Sequence, residues 1–271
     1  MKKLTIWLCT LLTVCSCVWM SSARAYAKEL ASGKCGANIT WVLDYNGTLT
    51  FSGTGEMDHF SPYTRPWDGR PGAITTVVIE EGITSIGNYA FMDMVHLVSV
   101  TIPDSVGSIG GSVFQNCISL QEIRLPKGLV SIPTETFAGC VSLRSIVIPE
   151  NVEHIWHGAF RGCTSLTTVT IPVKLRTIER DAFAECPNLW HVVYAGRKGQ
   201  FKNIGKYPGN DALENAQLHN RCGKNVKIDP VNRVCSICQR NKITTVVLCV
   251  AAVAGVTAAI VAAVRRRNRL W

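Results

Sequence analysis

At 271 residues the chain has room for one large domain or two small ones, and its formal charge of +9 would suit a nucleic-acid or acidic-membrane partner if the charges lay together. They lie at the two ends: Lys2, Lys3 and Arg24 in the first 27 residues, and Arg265, Arg266, Arg267 and Arg269 in the last seven, both stretches free of acids. The remainder carries 21 basic against 19 acidic residues, which excludes a basic nucleic-acid surface and points to membrane topology.

Residues 1–27 combine a charged start, an apolar run from Leu4 to Met20 and the small-residue site Ala25-Tyr26-Ala27. This is the pattern of a cleaved secretory signal peptide. Residues 28–72 read as a β-hairpin cap. Ile39, Trp41 and Leu43 alternate with polar residues, and Leu49 and Phe51 do so after the turn. A two-residue Asn46-Gly47 turn would place the two apolar rows on opposite faces. A three-residue loop, Tyr45-Asn46-Gly47, pairs Leu43 with Leu49 and Trp41 with Phe51, so a type I turn with a left-handed Gly47 is expected.

Residues 73–191 repeat. Units start at Val77, Val100, Ile123, Ile146 and Val169, each 23 residues after the last. Phe91, Phe114, Phe137, Phe160 and Phe183 form one column, and Leu97, Leu120, Leu143, Leu166 and Leu189 another. Cys117, Cys140, Cys163 and Cys186 share a column that begins with Met94. A unit of this length cannot bury its own apolar face, but stacked neighbours share a continuous core. The run Leu143-x-x-Ile146-x-Ile148 is the strand signature of a leucine-rich repeat, ended by Pro149, which cannot donate to a ladder. The expected fold is therefore an α/β-type solenoid: short parallel strands, with a short helical or 3₁₀ turn around Gly158-Ala159-Phe160. Because a thioether replaces cysteine in the Cys column, these thiols are read as core packing and not as disulfides or metal ligands.

The units resemble the BspA-like leucine-rich repeats of bacterial surface proteins, with their recurring A-F-x-x-C-x-x-L-x-x-I-x-I-P pattern. The flanks agree. CGANITWVLDYNGTLTFSGTGEM with Pro66-Trp67 is similar to a module found before such repeats in Gram-positive surface proteins. VVYAGRKGQFKNI and GNDALENAQLHN are similar to the segment that closes them, with Phe201 where that family more often has Trp. The resemblance implies a surface-exposed binding or adhesion protein and names no single ligand.

The cap at 192–219 should supply a sixth strand at Val192-Val193-Tyr194, then a short helix and final strand over Leu213–His219. A stalk follows at 220–242. Ile243–Val264 is 22 residues without a charge, long enough at about 1.5 Å per residue to cross a bilayer core. The arginines after it outweigh Arg240 and Lys242 before it, so 265–271 is expected to be a cytoplasmic tail, with the N-terminal part outside the cell.

No G-x-S-x-G, H-E-x-x-H, phosphate loop or dinucleotide fingerprint occurs, so no enzyme is expected and no catalytic residue is assigned. His154 and His157 lie in the variable part of one unit and read as surface residues. His219-x2-Cys222 followed by Cys235-x2-Cys238 has the spacing of a tetrahedral zinc knuckle. The same cysteines with Cys35 also suit disulfides, in three pairings, or free thiols, and spacing does not choose among these. Otherwise no cofactor is expected.

The function expected is a single-pass cell-membrane protein that binds a protein or glycan through its repeat face and caps, without nucleic acid. Candidate ligand-binding residues on the strand face are Glu122, Arg124, Arg144, Thr170, Trp190 and His191, because Arg and Trp dominate interface hot spots. Five strands at about 4.8 Å spacing, with about 12 Å of exposed width, offer about 300 Å², against about 800 Å² per partner in a standard interface. The strands alone should bind weakly unless loops, caps or many copies contribute. The alternative is a structural or sensory membrane protein whose solenoid serves assembly and whose tail meets a cytoplasmic partner.

Overall fold

The structure, a computed structural model, describes residues 29–69 and 74–220. The expected signal peptide at 1–27, the expected stalk at 220–242 with Cys222, Cys235 and Cys238, the apolar run 243–264 and the expected tail 265–271 lie outside the described residues, save for Asn220. Among the described residues, no helix is long and apolar enough to cross a membrane.

The N-terminal cap is a three-stranded meander of β1 (Glu29–Lys34), β2 (Asn38–Asp44) and β3 (Thr48–Glu56). Leu43 pairs with Leu49 and Trp41 with Phe51, and Gly47 has φ of 78°, as the three-residue loop requires. Asp44 fixes that loop by accepting the N–H groups of Asn46 and Thr48 at 2.8 and 2.9 Å. Strand β1, which lacks a strong apolar alternation, was not legible in the sequence. β3 then changes partner along its length. Its first half pairs in parallel with β4 (Thr76–Ile79) and its second half with β5 (Ile83–Ile86), so the cap hands the chain directly to both ladders of the solenoid.

The repeats wind into a β-solenoid of about six turns. One ladder continues from β4 to β6 (Ser99–Thr101) and resumes as β9 (Ser145–Val147), β11 (Thr168–Ile171), β13 (His191–Tyr194) and β15 (Gln217–Asn220). The other runs from β5 to β7 (Ser108–Ile109) and resumes as β8 (Ser131–Ile132), β10 (His154–Ile155), β12 (Thr177–Ile178) and β14 (Gly205–Lys206). All five column phenylalanines are buried, with centroids 5.1 to 5.5 Å apart along the stack. The column leucines and cysteines are buried with them. Each thiol donates to the carbonyl of the phenylalanine in the preceding coil, as Cys140 does to Phe114 at 3.1 Å and Cys163 to Phe137 at 3.2 Å. Cysteine here is therefore a core residue that also satisfies a buried acceptor.

The expected helical turn within each coil is absent. The phenylalanine segment is a pair of hydrogen-bonded turns, and the described helices are α1 (Lys198–Lys202) and α2 (Asp211–Asn215), both in the closing segment. Two left-handed positions recur per coil: Tyr89, Ser112, Glu135, Gly158 and Asp181, and again Asp93, Asn116, Gly139, Gly162 and Glu185. A right-handed helix cannot pass through positive φ, so this spacing replaces it with turns. The ladders also break in mid-solenoid. Gly110, Trp156 and Glu179 donate N–H to the coil before, but Pro133 holds that position in the third coil and has no N–H, so β7 and β8 do not pair.

Candidate functional site

On the first ladder the third coil contributes no strand: Gln121–Leu125 lies between β6 and β9 without ladder pairing to either, and only the Gln121 carbonyl accepts a backbone N–H from the next coil, that of Arg144 at 3.1 Å. The sequence explains the gap. The outward residue is Val78, Thr101, Val147 or Thr170 in the other coils and Arg124 here, and the next is Ile79, Ile102, Ile148 or Ile171 and Leu125 here. Two β-branched residues that favour the pleated backbone are thus lost together. Val100 and Ile123, whose equivalents Val77, Ile146 and Val169 are buried, are only half-buried.

The result is a groove of about 820 Å³ across the strand face, lined by Val98, Ser99, Val100, Gln121, Glu122, Ile123, Arg124, Arg144, Ser145 and Val147. Three of the six residues expected to bind a ligand, Glu122, Arg124 and Arg144, meet in it. Val98 and Val147 add apolar surface, 51% and 60% exposed. Arg124 donates from Nη2 to both carboxylate oxygens of Asp104 at 2.9 Å, and Lys127 donates its backbone N–H to the same group at 3.2 Å. These bonds, that of the Lys127 backbone foremost, hold the Asp104 carboxyl below the usual carboxylate range. Arg124 is therefore steadied at one rim, while Arg144 stands at the other.

The remaining strand-face residues are placed differently. Thr170 is half-buried in the column of Val147. Trp190 shares the column of Arg144, two coils on, and donates its indole N–H to Pro187 at 3.3 Å. It lines a second concavity of about 560 Å³ with Leu189, His191, Ala212, Asn215 and Gln217. His191 does not lie on an open face as expected. It is 4% exposed, and its Nδ1 meets Nε2 of His219, itself 1% exposed, at 2.9 Å. The strand pairing His191↔Gln217 and Val193↔His219 sets the two rings side by side on the outer face. Burial first, then His191, lowers the pKa of His219. Sequence reasoning missed this pair because its members are 28 residues apart and meet only once β15 adds to β13.

His154 and His157 do not converge. Nδ1 of His154 meets Thr177 Oγ1 at 2.8 Å and Nδ1 of His157 meets the Arg180 carbonyl at 3.0 Å, each bridging to the next coil. Among the described residues, no group of three or more His, Cys, Asp or Glu side chains could hold a metal ion. Cys35 is a buried free thiol whose pKa burial and Asp58 raise to about 12.

A family model of the BspA type leucine rich repeat region matches residues 71–207 in six copies. The chain belongs to this family. Among solved structures, a leucine rich cell surface protein from Faecalibacterium prausnitzii A2-165 is 31% identical, with a TM-score of 0.49, over 63% of this chain and 41% of its own. The T. pallidum leucine rich repeat protein is 24% identical, with a TM-score of 0.45, over 59% of this chain and 81% of its own. The BspA-type chain thus spans about two fifths of the length of the F. prausnitzii protein. No curated protein matches it.

Proposed function

We propose that this BspA-type repeat protein is a membrane-anchored cell-surface receptor or adhesin that takes a protein partner in the groove between β6 and β9. The observation that carries the reading is the convergence of Glu122, Arg124 and Arg144 with Val98, Val100, Ile123 and Val147 around about 820 Å³. Apolar patches flanked by fixed charges suit a polypeptide, whose side chains supply both kinds of contact. Among the described residues no aromatic ring lines the groove, whereas a sugar would be favoured by a stacking platform. The interrupted strand gives a concavity that a flat repeat face lacks, and loops, caps or many copies supply the rest of the contact area. Secretion through residues 1–27 and anchoring through 243–264 would put the groove outside the cell.

The test is a binding screen of the full chain in detergent against matrix proteins and cell-surface glycans. Saturable binding to a protein that Arg144→Ala weakens supports the reading. Saturable binding to a glycan alone, or protein binding indifferent to the groove, overturns it. Protease added to intact cells should cut a tag placed near Lys28 and spare one placed after Trp271; the reverse would invert the orientation.

A further inference from the structure

Trp190 stands in the strand-face column of Val98, Gln121, Arg144 and Thr167. Its neighbours along that column are Thr167 before it and Ala216 after it, by the pairing of His191 with Thr168 and with Gln217. Both are smaller than an indole, so the half-buried Trp190 ring projects past them into the concavity of about 560 Å³ at the closing end. The ring is held there, because its Nε1–H donates to the Pro187 carbonyl at 3.3 Å. With that donor engaged by its own chain, the indole offers a ligand its apolar face.

The polar groups beside the ring come from the closing segment. The buried Leu213 anchors α2, which runs through Ala216 into β15, and this path brings Asn215 and Gln217 to the wall of the concavity. The backbone N–H of Gln217 donates to the Trp190 carbonyl at 2.7 Å, so the two residues are fixed relative to each other. Asn215 and Gln217 are exposed, and their side-chain amides make no hydrogen bond among the described residues. Among those residues, no Asp, Glu, Lys or Arg lines the space.

We propose that this concavity is a second binding site, separate from the groove, for a neutral pyranose ring of a glycan. The C–H face of the sugar stacks on the electron-rich face of the indole. Sugar hydroxyls donate and accept, and an amide side chain does both, so Asn215 and Gln217 match them without a charge. The volume lies within the range of about 300–1,000 Å³ usual for small-ligand sites. An acidic sugar, a phosphate or a charged peptide finds no Lys, Arg, Asp or Glu there to pair with. The two concavities of the strand face thus differ in chemistry. At Arg144 there are charges and aliphatic surface without an aromatic ring; at Trp190 there are an aromatic ring and amides without a carboxylate, lysine or arginine.

The experiment uses the full chain in a detergent without a sugar headgroup, since a maltoside would compete. Saturation-transfer NMR and titration follow methyl glucoside, methyl galactoside, methyl mannoside and their neutral disaccharides, with glucuronic acid and a short acidic peptide for comparison. A single ring should bind in the millimolar range, with transfer strongest to the C–H protons that face the indole. Trp190→Ala should weaken binding about tenfold or more, and Trp190→Phe should restore part of it. Asn215→Ala and Gln217→Ala should each weaken it about two- to tenfold, with circular dichroism unchanged because both residues are exposed. Arg144→Ala, in the groove, should bind the sugar as the wild type does. Neutral-sugar binding by a chain that takes no protein partner supports this site while it removes the groove reading. No saturable binding of any neutral sugar, or binding unchanged in both Trp190→Ala and Gln217→Ala, overturns the site. Preference for glucuronic acid or for the peptide overturns the ligand class.

Discussion

The side-chain carbonyl of Asn210 accepts the backbone N–H of Phe183 at 2.9 Å, a bond that each earlier phenylalanine of the stack makes to a backbone carbonyl one coil further on. Phe137 donates to Ala159 and Phe160 to Ala182, both at 2.8 Å; after Phe183 no further repeat follows to accept. The opposite end has the converse problem, a carbonyl with no preceding coil. There Trp67 donates its indole N–H to Ala90 at 3.0 Å, and Arg65 reaches the carbonyls of Tyr89 and Met92. Side chains thus complete at both ends the ladder that backbone makes inside, because a buried polar group without a partner is costly.

Asn210 also donates from Nδ2 to Glu179 and Tyr207, so its amide satisfies one donor and two acceptors. Asn210→Ala should destabilise the fold by about 1–3 kcal/mol, the cost of an orphaned buried group. Asn210→Asp keeps the acceptor but sets a carboxylate against two carbonyls, and should cost at least as much. Urea denaturation of both variants checks this; two curves that overlay the wild type would reject the capping role.

Phe137 stacks at 5.4 Å on Phe114 and 5.3 Å on Phe160 and has no exposed surface. Phe137→Ala should cost about 3–5 kcal/mol through lost burial and the cavity left behind. In a stack where each coil touches only its neighbours, the loss should also split the melt into two steps. A single transition shifted by less than about 1 kcal/mol would place Phe137 outside the core.

What could be read in the sequence follows from chemistry that repeats. The columns of Phe, Leu and Cys and the Gly47 turn each depend on side-chain type at a fixed offset, and the structure has them there. The left-handed positions were hidden because Tyr, Ser, Asn, Asp and Glu occupy most of them, and only Gly139, Gly158 and Gly162 advertise positive φ. The groove was half legible: Arg124 and Arg144 identify its rims, but its depth comes from a strand that fails to form at Gln121–Leu125. His191 was misplaced because alternation alone assigns it outward, whereas the His219 ring it meets arrives only with β15, 28 residues on.

The core thiols give a pH prediction. Burial raises Cys140 and Cys186 to about 12 and Cys117 and Cys163 well above their ordinary value of 9.0. An acid whose folded pKa is raised stabilises the fold fully below its unfolded pKa, and that contribution is lost as pH rises through the folded value. Stability from these groups should therefore be flat to about pH 9 and fall toward pH 12. Alkylation at pH 8 should leave the four unmodified in the native chain and label them in urea, as peptide mass mapping would show; native labelling of Cys140 would contradict its burial.

The interrupted ladder should be visible in exchange. Backbone N–H groups of Ser145–Val147 and Thr168–Ile171 sit between paired strands or at their edges, whereas Glu122–Leu125 pairs with neither neighbour. Amides of Glu122, Ile123 and Arg124 should exchange faster than those of Val169 and Thr170, since local opening there breaks fewer bonds. Equal protection across both segments would mean that the third coil holds its strand in solution.

Arg144 and Arg161 offer a matched comparison for binding. Both are exposed arginines in adjoining repeats, but Arg144 lines the groove, whereas Arg161 lies on the phenylalanine turn with Nη2 3.9 Å from a Glu135 carboxylate oxygen. A partner held in the groove should lose about 1–2 kcal/mol of affinity in Arg144→Ala and none in Arg161→Ala, with the melting temperature unchanged in both. Arg124→Ala should act more weakly on affinity and leave Asp104 with Lys127 as its remaining ion-pair partner from that coil, which raises its carboxyl toward the ordinary range. If the contact with Arg144 is ionic, raising salt should narrow the gap between wild type and Arg144→Ala. Titration of each variant against the captured partner decides the matter: sensitivity at Arg161 with silence at Arg144 would move the site to the turns and leave the strand face as scaffold.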